Sequence, residues 1–106
     1  MKRAMALVFK ICPVAEWDAA KSAGLFKGSA VDLRDGFIHF SAEHQWRQTA
    51  ALHFAGQSGL VLVAFDESAL GPALKWEPSR GGDLFPHLHA TLDPAAALWV
   101  KPLESQ

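Results

Sequence analysis

At 106 residues, half of them hydrophobic and a fifth charged, the chain has the size and composition of one folded domain, not of a disordered or low-complexity segment. Ten Lys and Arg against eleven Asp and Glu leave a formal charge of −1, which excludes a surface built to hold long nucleic acid by counterion release. The single cysteine, Cys12, excludes an intramolecular disulfide framework, so the cytoplasm is the expected compartment.

Lys2-Arg3 followed by apolar residues 4–9 resembles the opening of a signal peptide, but Lys10 interrupts it. The apolar run is shorter than a secretory core and far shorter than the roughly 20 residues of a membrane helix, so no membrane partner is expected. Residues 6–11 read instead as a buried strand carrying one polar residue, Lys10. Pro13 then opens a helix over residues 14–23, with Val14, Trp17 and Ala20 or Lys21 facing inward and Gly24 as its stop. Residues 27–30 read as a turn, and residues 31–36 lead through Asp35-Gly36 into a strand over residues 37–40. Ser41 has the chemistry of a helix N-cap; the helix runs from residue 42 to about Phe54, with Trp46, Ala50 and Phe54 on one side and Gly56 as its stop.

Residues 60–65 (Leu-Val-Leu-Val-Ala-Phe) are apolar on both faces and predict a central strand. A helical turn over residues 66–70, a short strand at 74–77 and a flexible loop at 78–83 follow. Residues 85–90 are extended, and Pro86 places them at a sheet edge or a strand end. A capped turn at 93–96 precedes a last strand at 97–100. No repeat or linker divides the chain. The reading is a single compact α+β domain over residues 1–106, with a mixed or split, bent β-sheet of about five or six strands and two main helices, and Trp17, Trp46 and Trp99 in the core.

Three histidines stand where a strand can present them. Alternation puts Phe37, His39 and Ser41 on one face and Ile38 and Phe40 on the other. A strand that delivers His39 to a helix start suits an anion such as a pyrophosphate, with Gln45 one turn further in. His87 and His89 share a face two residues apart, the spacing of two zinc ligands on one strand, with His39, His44, Glu77 or Asp83 as the remaining ligand candidates. Glu77, between Trp76 and Pro78, is a half-buried carboxylate that either polarises a ligand or pairs with Lys75 or Arg80.

Glu16-Trp17, Gly24-Leu25-Phe26, Asp35-Gly36-Phe37-Ile38-His39-Phe40-Ser41 with Gln45, Lys75-Trp76-Glu77 and Phe85-Pro86-His87-Leu88-His89 follow one another as in a bacterial domain-of-unknown-function family, family 952, which the chain resembles over essentially its whole length. Members of that family look like distant relatives of the ADP-ribosyltransferase superfamily, whose split, bent sheet grips NAD. The resemblance implies NAD as substrate, with no metal, and puts the family's first-strand histidine at Lys10, its Gly-Phe-Ile-His histidine at His39 and its Phe-Pro-His histidine at His87. The family's usual tyrosine and glycine are His89 and Ala90 here. An ammonium at position 10 can contact a ribose hydroxyl or phosphate but cannot accept a hydrogen bond as a neutral imidazole does.

The expected site therefore comprises His39, His87 and Glu77 as catalytic groups and Lys10, Ser41, Gln45, Phe85 and His89 as ligand contacts for a small nucleotide. Two rival readings stand beside it: a zinc-dependent hydrolase using His87 and His89, and a non-enzymatic small-ligand-binding or interaction module.

Overall fold

The computed structural model describes residues 6–103, apart from the side chain of Arg80; the signal-like residues 2–5 lie outside the described residues. Its organising element is an antiparallel pair of apolar strands, β1 (Leu7–Pro13) and β4 (Leu60–Asp66), in unbroken register from Leu7 opposite Asp66 to Pro13 opposite Leu60. With no polar face to turn to water, β4 has to lie inside a sheet and be covered on both sides. It does: β3 (Ser41–Ala42) pairs with β1 and β7 (Trp99–Leu103) with β4, giving an antiparallel sheet in the order β3-β1-β4-β7.

Strand alternation then divides the core. Val8, Cys12, Val61, Val63 and Phe65 point to one face, where Trp17 and Ala20 of helix α1 (Val14–Ala23) pack with Phe26, Phe40, Leu88 and Leu92. Phe9, Ile11, Leu60, Leu62 and Ala64 point to the other, under Ala50 and Trp46 of helix α3 (Trp46–His53). Trp17 is fully buried, whereas Trp46 and Trp99 are half-buried and flank Phe9. α1 stops at Gly24, whose left-handed φ of 75° aims its N–H back at the carbonyls of Ala20 and Lys21.

A second antiparallel sheet, β2 (Ile38–His39), β5 (Leu74–Pro78) and β6 (Leu84–Leu88), has the order β2-β6-β5. The strand containing Pro86 is thus the middle strand, with Pro86 at its centre, and not the edge or strand end expected from sequence. Phe40 donates its N–H to the Pro86 carbonyl at 2.9 Å, so the Pro86 backbone faces just past the last β2 residue, where no partner needs its missing N–H.

Four other expectations are corrected. Residues 30–35, read as turn and approach, form a short helix α2 (Ala30–Asp35): Asp32 lies three residues beyond Ser29 and accepts the Ser29 N–H at 2.8 Å, the returning half of a capping box. Ser41 is not a helix cap, because pairing with Phe9 draws it into β3, and α3 begins only at Trp46. Gln45 fills the intervening turn, accepting the Ala42 N–H at 2.9 Å and donating to the Leu84 carbonyl at 2.9 Å. The last strand starts at Trp99, since Asp93 caps a 3₁₀ turn over Pro94–Ala96 and Leu98 is still bonded to the Ala64 carbonyl as the chain enters the sheet. The expected turn after β4 is a longer 3₁₀ segment, Glu67–Ala73, capped by Asp66.

The two sheets are joined at one place. The chain leaves β2 at His39, passes through buried Phe40 and enters β3 at Ser41, so β2 is left as an edge with no strand beyond it. The outward N–H of His39 donates to Asp32 Oδ1 at 3.1 Å, and its outward carbonyl accepts from Lys10 Nζ at 3.1 Å. Lys10 and Asp32 are themselves ion-paired at 2.8 Å with side chains 5% and 0% exposed, which ties β1, α2 and β2 together. Removing one member of a buried pair strands the other charge. Asp32→Ala is therefore expected to cost about 3–5 kcal/mol in chemical denaturation, and Lys10→Met combined with Asp32→Leu to recover most of that loss.

Candidate ligand cleft

Where the sheets part, a cleft of about 570 Å³ opens, within the size range of small-molecule pockets. β1 contributes Lys10, β2 His39, β3 Ser41 and β6 Phe85 and His87, while α2 supplies Val31, Arg34 and Asp35, α3 supplies Thr49 and His53, and Phe54 follows at the α3 C-terminus. Five of the eight residues expected at a site thus meet although they span residues 10 to 87. Gln45 does not join them, being committed to the β3–α3 turn. Glu77 and His89 do not line the cleft either; they stand behind its wall.

That wall is the polar face of the second sheet. His39 and His87 are directly opposed cross-strand neighbours, and their rings lie 5.5 Å apart, edge to face. The Phe37 ring stacks on His87 at 4.1 Å and touches His39 at 4.5 Å and His89 at 5.3 Å. Each imidazole is held by a carboxylate. His39 Nδ1 meets Asp32 Oδ1 at 2.7 Å and Nε2 meets Asp35 Oδ2 at 3.0 Å. His87 Nδ1 and His89 Nε2 converge on a single oxygen, Glu77 Oε1, at 2.7 and 2.9 Å. Glu77 is therefore partnered by two histidines, not by Lys75.

A carboxylate accepts hydrogen bonds and never donates, so each ring nitrogen facing one carries the hydrogen. His39 has a carboxylate oxygen at each ring nitrogen, Asp32 on Nδ1 and Asp35 on Nε2, which makes it an anchor. His87 is 4% exposed and lines the cleft; Glu77 holds its Nδ1, while Nε2 bonds no protein atom among the described residues and is not sealed from solvent, which leaves it on the cleft side. Ser41 Oγ donates to Thr49 Oγ1 at 3.0 Å on the opposite wall. Among the described residues no three His, Cys, Asp or Glu side chains are grouped as ligands for a metal ion.

The carboxyl groups are set by these contacts. Burial would raise the Asp32 carboxyl, but the hydrogen bond from His39 and the charge and hydrogen bond of Lys10 outweigh it and hold the group far below the usual range. The hydrogen bonds from His89 and His87 lower Glu77, and the one from Arg34 lowers Asp35. Two residues further along β1, on the same face as Lys10, burial pushes the Cys12 thiol up to about 11.

Asp32, Asp35, Arg34 and Phe37 were not singled out as site residues by sequence. The Ser29-x-x-Asp32 spacing was the available signal for Asp32, and Phe37 shares the face already assigned to His39.

The geometry defines an α+β domain with a ligand-sized cleft at a sheet split. The chain belongs to the family described as "Protein of unknown function (DUF952)", whose model matches residues 11–100. It is similar to protein CC0527 from Caulobacter crescentus: the crystal structure of that protein is 53% identical, with a TM-score of 0.90 over 92% of this chain and 86% of that one. The solution NMR structure of CC0527 gives a TM-score of 0.83 at 53% identity, over 92% of this chain and 84% of that one. No curated protein matches the chain. No helix among the described residues is long and apolar enough to cross a membrane.

Two outcomes follow from the lowered Asp32 carboxyl and the raised Cys12 thiol. Because the folded Asp32 carboxyl lies below its unfolded value of about 3.9, its stabilisation is complete above that pH and is lost as pH falls below it; acid unfolding of Asp32→Asn should therefore show a shallower stability loss below pH about 4 than wild type. Cys12, buried and with its thiol at about 11, should resist iodoacetamide at pH about 8 in native protein and react fully after unfolding.

Proposed function

We propose that the cleft binds NAD or a related nucleotide such as ADP-ribose and that the chain is an NAD- or ADP-ribose-utilising, transferase-like protein. The observation that carries this reading is the convergence of Lys10, His39, Ser41, Phe85 and His87 from separate strands on one cleft. A nucleotide needs cations for its phosphates, donors and acceptors for its ribose, and apolar surface for its base. Lys10 lines the cleft and uses two of its three N–H donors on Asp32 and His39, which leaves one for a ligand, and Arg34 stands at the rim. Phe40, Phe54 and Phe85 supply apolar walls for a flat ring, and Ser41 and His87 face a ribose placed between them.

Because Ser41 lies in β3, the phosphates are assigned to Lys10 and Arg34 and not to a helix start. The Lys10 ammonium, neutralised by Asp32, contributes hydrogen-bond direction more than net charge. An NMR titration of labelled protein with NAD, ADP-ribose and nicotinamide tests the reading. Shifts are expected at Lys10, His39, Ser41 and residues 85–87, and they should weaken in His87→Ala, which leaves the Lys10–Asp32 pair intact. Absence of any shift at millimolar NAD and ADP-ribose would contradict it.

A further inference from the structure

The three clustered histidines are not equivalent, and their differences assign a role. His39 has both ring nitrogens engaged by carboxylates, and His89 is exposed and stands outside the cleft. His87 alone combines burial, one nitrogen fixed by a carboxylate and the other nitrogen open to the cleft. Since Glu77 Oε1 requires the hydrogen on Nδ1, a neutral His87 carries its lone pair on Nε2, pointed into the cavity. Ring stacking on Phe37 at 4.1 Å and the cross-strand contact with His39 fix the plane of that imidazole. The second hydrogen bond to Glu77 Oε1, from His89 at 2.9 Å, fixes the carboxylate in turn. The chain of contacts runs His89 to Glu77 to His87 to cleft, the arrangement of a base oriented by a carboxylate.

We propose that His87 is the general base of this cleft, taking a proton at Nε2 from a water molecule that attacks the ribose C1 of bound NAD, with Glu77 and His89 as positioning residues. The proposal rests on the nucleotide reading of the cleft. In the step it describes, the water oxygen bonds to C1, and the bond from C1 to the nicotinamide nitrogen breaks with its electron pair returning to that nitrogen. The water proton passes to His87 Nε2 and then to solvent. NAD and water give ADP-ribose, neutral nicotinamide and one proton. Lys10 does not compete for this role, because its ammonium carries no lone pair and is locked to Asp32.

The test combines nicotinamide release from NAD, measured chromatographically, with long-range proton–nitrogen NMR of the histidine rings in the same protein. Wild type should release nicotinamide and show His87 with its hydrogen on Nδ1. His87→Gln should lower release about 100-fold. Glu77→Ala should lower it about tenfold, with NAD-induced shifts retained and the His87 tautomer no longer fixed, and Glu77→Gln should restore part of both. NAD-induced shifts without nicotinamide release, or release unchanged in His87→Gln, would overturn the base assignment while leaving the nucleotide reading standing. A hydrogen on His87 Nε2 in wild type would overturn it as well. Absence of NAD-induced shifts would overturn both together.

Discussion

A lysine buried on the apolar face of a central strand must find a counter-charge or cost several kcal/mol, and here Asp32 supplies it from a helix of six residues. Much else depends on that one contact. Asp32 Oδ2 takes the Lys10 ammonium and the Ser29 N–H, while Oδ1 takes the His39 ring and the His39 N–H. One carboxylate thereby starts α2, docks it on β1, closes the free edge of β2 and orients an imidazole. With the Lys10 bond to the His39 carbonyl, both outward backbone groups of His39 are satisfied by side chains in place of a neighbouring strand.

This arrangement lets the sheet split without leaving buried backbone groups unpaired. β2 and β3 are consecutive in the chain yet belong to different sheets, and the gap between those sheets is the cleft. The apolar strand pair β1–β4 provides the rigid floor from which Lys10 projects, and the second sheet presents His39, Phe85 and His87 as a wall. The same splitting that calls for a buried ion pair also creates a concave site with polar groups from several elements, so the structural and functional demands on Lys10, Asp32 and His39 coincide.

The sequence was readable where period and punctuation agree. The run of residues 60–65 identified the central strand, Gly24 the end of α1, and alternation along residues 37–41 the outward side of His39. It misled where a tertiary contact overrode a local preference. Ser41 has good capping chemistry, but an open position beside β1 claims it for a strand. Pro86 normally marks an edge, but a middle strand tolerates it where the neighbouring strand ends. Asp32, flanked by exposed Val31 and Leu33, reads as a surface acid; its burial follows only from Lys10, 22 residues earlier. Likewise the partner of Glu77 was sought among nearby cations, whereas the register of β5 against β6 brings His87 and His89 to it.

Asp32 holds the second sheet against the first through its bonds to Lys10 and His39. Amide hydrogen exchange on Asp32→Asn, residue by residue, addresses it most directly. Loss of protection concentrated in α2, at the His39 amide and along the β2–β6 pairing, with the β1–β4 pairing still protected, is the predicted pattern. Protection unchanged at His39 and Leu88, or lost equally across both sheets, would contradict it.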